Sequence, residues 1–165
     1  MSAYYPEDTE RAAHRVVERA VRSGKKVATA ESCTGGLVCG AITDVAGSSD
    51  ALVGGVVSYA NEVKEHVLGV PASVLASVGA VSEETARAMA NGVRELLHAD
   101  VAVSTTGVAG PGGGSADKPV GTEWVGISKA DGTRAYLEHF DGNRSEVRNQ
   151  AVGFALRLLE EGLEG

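Results

Sequence analysis

The chain has 165 residues, 43% of them apolar and 22% charged, with a formal net charge of −7. That length supports one domain with a hydrophobic core, residues 1–165, and the composition is that of a soluble globular protein rather than a disordered one. The acidic balance argues against direct nucleic-acid binding, which needs clustered Lys and Arg, but leaves room for a small anion held by one Arg and a few N–H groups.

In chain order, residues 6–23 read as a helix. Ala12, Ala13, Val16, Val17, Ala20 and Val21 recur at helical spacing, Pro6, Glu7 and Asp8 suit a first turn, and Gly24 suits a stop. "KVATAE" is a short buried strand and "LVCGAITDV" a helix opening after Gly36. "ALVGGVVSYA" is a second apolar strand, followed by a short helix around "NEVKEHVL". Ser82, with Glu83 and Glu84, opens the clearest helix, whose apolar face is Ala86, Met89, Ala90, Val93, Leu96 and Leu97. "DVAVSTTGVAG" is a third strand running into the glycine loop "GPGGGSADKPVG". "TEWVGISKA" and "TRAYLEHF" flank Asp131-Gly132, a hairpin signature. A last helix opens at Ser145, with Val147, Ala151, Phe154, Ala155, Leu158 and Leu159 inward. Helices alternating with buried strands, then a hairpin, imply a layered α/β/α fold with a mixed, mostly parallel sheet and a late antiparallel hairpin.

Cys33 and Cys39 have five residues between them, and His14, His66, His98 and His139 are scattered, so neither a disulfide framework nor a metal site is expected. The N-terminus has no apolar run behind a basic start, and no segment reaches membrane-spanning length. A cytoplasmic location without membrane contact is the expectation.

Three strand ends carry small polar residues. In "ATAESCTGG", Ser32 ends a buried strand, and the N–H groups of Thr34, Gly35 and Gly36 stand where a helix start could hold an oxyanion or phosphate. The blander role for Ser32 or Thr34 is a helix cap. In "SYANEVK", Tyr59, Asn61 and Lys64 should lie near the same edge. With no His positioned as a base, a nucleophilic serine needs Lys64 or Tyr59, and the lysine serves only if desolvation or a nearby cation lowers its pKa. In "STTGVAGPGGGSADKPVG", Thr105, Thr106 and Gly107 end a third strand. The loop has no Walker A lysine, and Ser115 replaces the third glycine of a dinucleotide fingerprint. Arg144 in "FDGNR" follows a strand and precedes a helix, where its fork suits a phosphate. Cys33 is a rival nucleophile, ranked lower because small buried cysteines are common packing material.

Together, "AESCTGG", "GGVVSYANEVK", "GAVSEETA", "TTGVAGPGGGSADKPVGTEWVGI" and "DGNRSEVRNQAV" resemble the CinA carboxy-terminal domain family of nicotinamide-mononucleotide amidohydrolases. The resemblance runs from residue 27 into the last helix. It implies hydrolysis of nicotinamide mononucleotide to nicotinic acid mononucleotide and ammonia, in NAD recycling and without a cofactor. It makes Ser32 the nucleophile and Tyr59 and Lys64 the proton-handling pair. Thr106 becomes a polar contact, Arg144 a ligand-side arginine, and Gly35, Gly36 and Gly107 points of close backbone approach. A homodimer is implied by the same analogy, as is the stand-alone form of a domain that many relatives carry behind a second one. Asn143 stands where the family motif usually has Asp, and Trp124 is larger than that position usually holds. The rival readings are a competence-associated binding domain and an amidohydrolase for a different small amide.

Overall fold

The computed structural model describes residues 4–164, so the ends of the expected 1–165 domain lie outside the described residues. The elements are α1 (Glu7–Ser23), β1 (Val27–Glu31), α2 (Leu37–Thr43), β2 (Leu52–Val57), α3 (Asn61–His66), α4 (Ala72–Ser77), α5 (Glu83–Leu97), β3 (Val101–Gly107), β4 (Thr122–Lys129), β5 (Gly132–His139) and α6 (Arg144–Gly162). Strand order is β2-β1-β3-β4-β5. β1 pairs in parallel with β2 and β3, and β4 is antiparallel to both β3 and β5, so only β4 runs against the rest. This is the expected mixed sheet with its late hairpin.

Strand burial follows position in the sheet. The interior strands β1 and β3 are almost wholly buried, whereas edge strand β2 alternates half-buried and exposed residues. Two cores sandwich the sheet. On one side Ala12, Val16, Ala20, Val38, Ile42, Val152, Leu156 and Leu159 join α1, α2 and α6 to the strands. On the other, Met89 and Val93 of α5 pack with Leu68 and Val70 on Ala28, Ala30 and Ala102. With so few aromatics, small side chains bring the helices close to the sheet.

Several local expectations shift. Val21 is 47% exposed and Leu96 48%, because each stands at the margin of its helix's apolar stripe rather than in the core. The strand expected over 51–60 ends at Val57, which places Tyr59 in the connection to α3. The last helix begins at Arg144, one residue earlier than expected. Its cap is Asn143, whose side chain accepts from the Glu146 N–H while Glu146 accepts from the Asn143 N–H. Asn caps a helix as well as Asp does, so the departure at this position leaves the local structure intact. Helix α4 had no sequence signal: it is six residues long and buries none of them.

β1 lies between β2 and β3, so the chain leaves it in opposite directions across the sheet. Ligands of open α/β sheets bind outside the carboxyl end of the strands at such a switch point. Ser32 is the first residue past the end of β1.

Candidate active site

Ser32 is held by the sheet it leaves. Its N–H donates to the Thr105 carbonyl at 2.9 Å, extending the β1–β3 ladder, and on the other side the Ser58 N–H donates to the Glu31 carbonyl at 2.8 Å. Lys64 comes up from α3, only 1% exposed. Its Nζ lies 2.9 Å from Ser32 Oγ, 2.7 Å from the Ser58 carbonyl and 3.0 Å from the Tyr59 carbonyl. No ion pair among the described residues involves it. Burial lowers its pKa to about 8, against an opposing pull from Cys33.

Those three contacts have a chemical consequence. The neutral amine has two N–H bonds and one lone pair. The carbonyls of Ser58 and Tyr59 take the two hydrogens, and the lone pair then faces the Ser32 hydroxyl. The protonated form instead donates to all three oxygens. A group with a pKa near 8 moves between these states close to neutral pH, which a general base needs.

The turn from Ser32 to Gly36 is gripped from several sides. Glu31, 1% exposed, accepts from the Thr34 hydroxyl at 2.6 Å and from the N–H groups of Val38 and Cys39 at 2.8 and 3.0 Å. The Thr34 hydroxyl also meets that of Thr105 at 2.7 Å. Arg148 of α6 donates from Nε to the Cys33 carbonyl at 2.9 Å and from a terminal nitrogen to the Thr34 carbonyl at 3.5 Å. Gly35 and Gly36 take φ of 57° and 101°, a left-handed path that favours glycine.

Cys33 faces inward, with Sγ at 3.0 and 3.3 Å from the two Glu123 oxygens. Burial, then Glu123, pushes its thiol well above the usual value, so it stays protonated and is a poor nucleophile. Burial likewise raises Glu123 to about 7, although the Cys33 hydrogen bond opposes the shift. Gly107 has a different use from the one its motif implied. A Cβ there would collide with the Glu123 carboxylate, so the missing side chain admits Glu123 rather than a ligand.

Other expected roles also change. Thr34 is fully buried with its hydroxyl spent inside the fold, so it holds the turn together rather than meeting a ligand. The Gly35 N–H is spent on the Ser32 carbonyl, while those of Thr34 and Gly36 have no protein acceptor among the described residues. The positive end of α2 is already occupied by Glu31, which removes it as a phosphate site. Thr106 sits at the same strand end as Ser32, but its hydroxyl donates to the Ala80 carbonyl at 2.8 Å and ties down the segment before α5.

At the rim, Tyr59 is 62% exposed. Its carbonyl holds Lys64, while its phenol oxygen lies 3.4 Å from Arg144, so its contacts support the rim rather than the proton step. Arg144 also donates to the Gly110 carbonyl at 2.9 Å. Asn61 opens α3 and is exposed. The sequence reading missed Arg148 and the burial of Glu31. Arg148 had a signal, since it follows Arg144 by four residues and shares its helix face. Glu31 had a fainter one, a carboxylate closing an otherwise apolar strand.

Residues 9–163 match the family model described as CinA C-terminal domain. The chain belongs to this family. A CinA-like protein of Mycolicibacterium gilvum is 49% identical over 147 residues, covering 88% of this chain and 35% of the relative. Another from Anaeromyxobacter dehalogenans is 51% identical over 144 residues, covering 87% and 35%. The chain thus spans about a third of the length of these curated relatives. Among solved structures, a competence/damage inducible protein of Agrobacterium tumefaciens superposes with a TM-score of 0.94 at 42% identity, covering 98% of this chain and 99% of that one. A CinA superfamily protein of Klebsiella pneumoniae gives 0.89 at 36%, covering 94% and 97%. No helix of this CinA domain, among the described residues, is long and apolar enough to cross a membrane.

Proposed function

We propose that this CinA domain is a serine amidohydrolase that converts nicotinamide mononucleotide and water to nicotinic acid mononucleotide and ammonia, within NAD recycling. The observation that carries the reading is the buried Lys64 amine 2.9 Å from Ser32 Oγ, without a carboxylate partner among the described residues and with its other hydrogens taken by two carbonyls. Capping a helix needs no such partner. A hydroxyl that must attack an amide does.

In the acylation step Ser32 Oγ bonds to the carboxamide carbon, its proton passes to the Lys64 amine, and the carbonyl π pair moves onto oxygen. Collapse re-forms the carbonyl and breaks the C–N bond, and the Lys64 ammonium returns the proton so that ammonia leaves. Water then attacks the resulting ester and gives a proton to Lys64. A second collapse breaks the Ser32 Oγ–carbon bond, and the Lys64 ammonium returns that proton to Oγ, freeing the carboxylic acid and the Ser32 hydroxyl. A covalent acyl-enzyme divides one hard step into two. Arg144 supplies the positive charge for the 5′-phosphate at the rim, where Tyr59 and Asn61 complete the approach.

The test is ammonia release from nicotinamide mononucleotide, nicotinamide riboside, nicotinamide and glutamine. The mononucleotide should be turned over best. Release from another amide alone would change the substrate, and release from none would favour a competence-associated binding role.

A further inference from the structure

We infer that the groove between β5 and the start of α5 is a docking surface for a basic segment of a partner protein, one that presents an apolar side chain flanked by Lys or Arg. Neither Ser32 nor Lys64 lines this groove, and the inference stands apart from the amidohydrolase reading.

Residues directly opposite each other in antiparallel strands share a face of the sheet. Trp124 of β4 lies opposite both Thr106 of β3 and Leu137 of β5, so all three look toward the side where the Thr106 hydroxyl reaches Ala80. Trp124 and Leu137 line a groove of about 460 Å³ together with Val78 and Val81 from the segment before α5. That segment is held at three successive carbonyls. Val78 accepts from Lys118 Nζ at 2.6 Å, Gly79 from the hydroxyls of Ser82 and Thr85 at 2.9 and 2.7 Å, and Ala80 from Thr106 at 2.8 Å. A groove that is already rigid spends little ordering entropy when a partner enters it.

Two features select the occupant. The apolar lining is open to water, with Leu137 55% exposed and Val78 37%. Small-molecule sites enclose most of their ligand, whereas an open apolar centre inside a polar margin is the anatomy of a protein interface. The margin here is acidic. Glu83 and Glu84 open α5, Asp117 comes from the glycine loop, and none of the three makes an ion pair among the described residues. Lys118 also lines the groove, but its ammonium is turned onto the Val78 carbonyl. The carboxylates therefore outweigh the cation, and the complementary partner sets Lys or Arg around its apolar anchor.

Trp124 is the only tryptophan of the chain, so its emission reports on the groove directly. The probe is the blocked peptide Lys-Lys-Leu-Phe-Lys-Lys, with Glu-Glu-Leu-Phe-Glu-Glu as its acidic counterpart, each titrated into the full chain. The basic peptide should shift the emission and bind on the order of tenfold more tightly than the acidic one, with the advantage shrinking at high salt. Leu137→Ser, and separately the double variant Glu83→Gln with Glu84→Gln, should each weaken the basic peptide about fivefold to tenfold while the melting temperature stays near that of wild type. Equal binding of the two peptides overturns the inference, as does a shift that survives in both variants or no shift at millimolar peptide. Benzylamine binding as tightly as the basic peptide would make the groove a small-molecule site. A wild-type dimer that Leu137→Ser dissociates would give the groove to a second copy of the chain. Either result also overturns the inference.

Discussion

The floor and the rim of the site are built differently. On the floor, Ser32, Lys64 and the turn as far as Gly36 are held by carbonyls, two buried carboxyl groups and Arg148, and Lys64 has lost almost all contact with water. On the rim, Tyr59 and Arg144 are exposed and touch each other at 3.4 Å, a weak contact that a phosphate would displace at little cost. On the proposed function, the floor holds the reacting groups in place before substrate arrives. The rim keeps its charge free for recognition. Changes on the floor should therefore appear in kcat, and those on the rim in KM.

The largest break of that contrast is Ser32→Ala. It should fold normally and lose on the order of 10⁴- to 10⁶-fold in ammonia release, as expected when the nucleophile of a serine hydrolase is removed. Near-normal turnover would end the serine mechanism. Lys64→Met replaces a buried amine with an apolar chain of similar length, so the fold should be kept at a modest cost for the Ser58 carbonyl that loses its donor, while kcat drops on the order of 10²- to 10⁴-fold. A variant with low stability and intact kcat would make Lys64 a structural group instead.

Glu123→Gln sharpens the contrast through pH. The folded protein keeps the Glu123 proton up to about pH 7, whereas the unfolded chain releases it near the ordinary carboxyl value of 4.5. The folded state thus binds the extra proton between those values, and this group's contribution to stability is full below pH 4.5 and lost as pH rises through 7. Gln carries no charge to bury. It should stabilise the protein by about 1–2 kcal/mol at pH 8, after the cost of a buried amide, with the gain shrinking toward pH 4.5 in denaturant melts. The same gain at both pH values would contradict the shifted carboxyl.

Arg144→Ala tests the rim. KM for the mononucleotide should rise about tenfold, as for loss of a charge-assisted hydrogen bond, while KM for the unphosphorylated riboside stays nearly constant. Equal changes for both would remove the phosphate role. The mildest probe is wild type across pH. With Lys64 near 8, kcat/KM should climb about tenfold per unit below that pH and level above it. A profile flat from pH 6 to 9 would exclude the lysine as base.

Most of the elements, and the position of the proposed nucleophile, can be read from local patterns along the chain. Helical spacing set α1, α5 and α6, the Asp131-Gly132 turn announced the β4–β5 hairpin, and the step from apolar "ATA" into "ESCTGG" put Ser32 at a strand's carboxyl end. These signals are local, so neighbours along the chain suffice to write them. Which polar groups remain free was decided only in three dimensions. Thr34, Thr106 and Gly107 look alike as ligand-facing residues in sequence, yet the fold spends two hydroxyls on Glu31, Thr105 and Ala80 and gives the bare glycine to Glu123. In sequence Lys64 is a base only if something desolvates it, which α3 does by carrying it under two carbonyls, and Arg148 reads as a helix charge until α6 lays it against Cys33. Desolvation and hydrogen-bond partnership depend on groups tens of residues apart, and no local pattern records them.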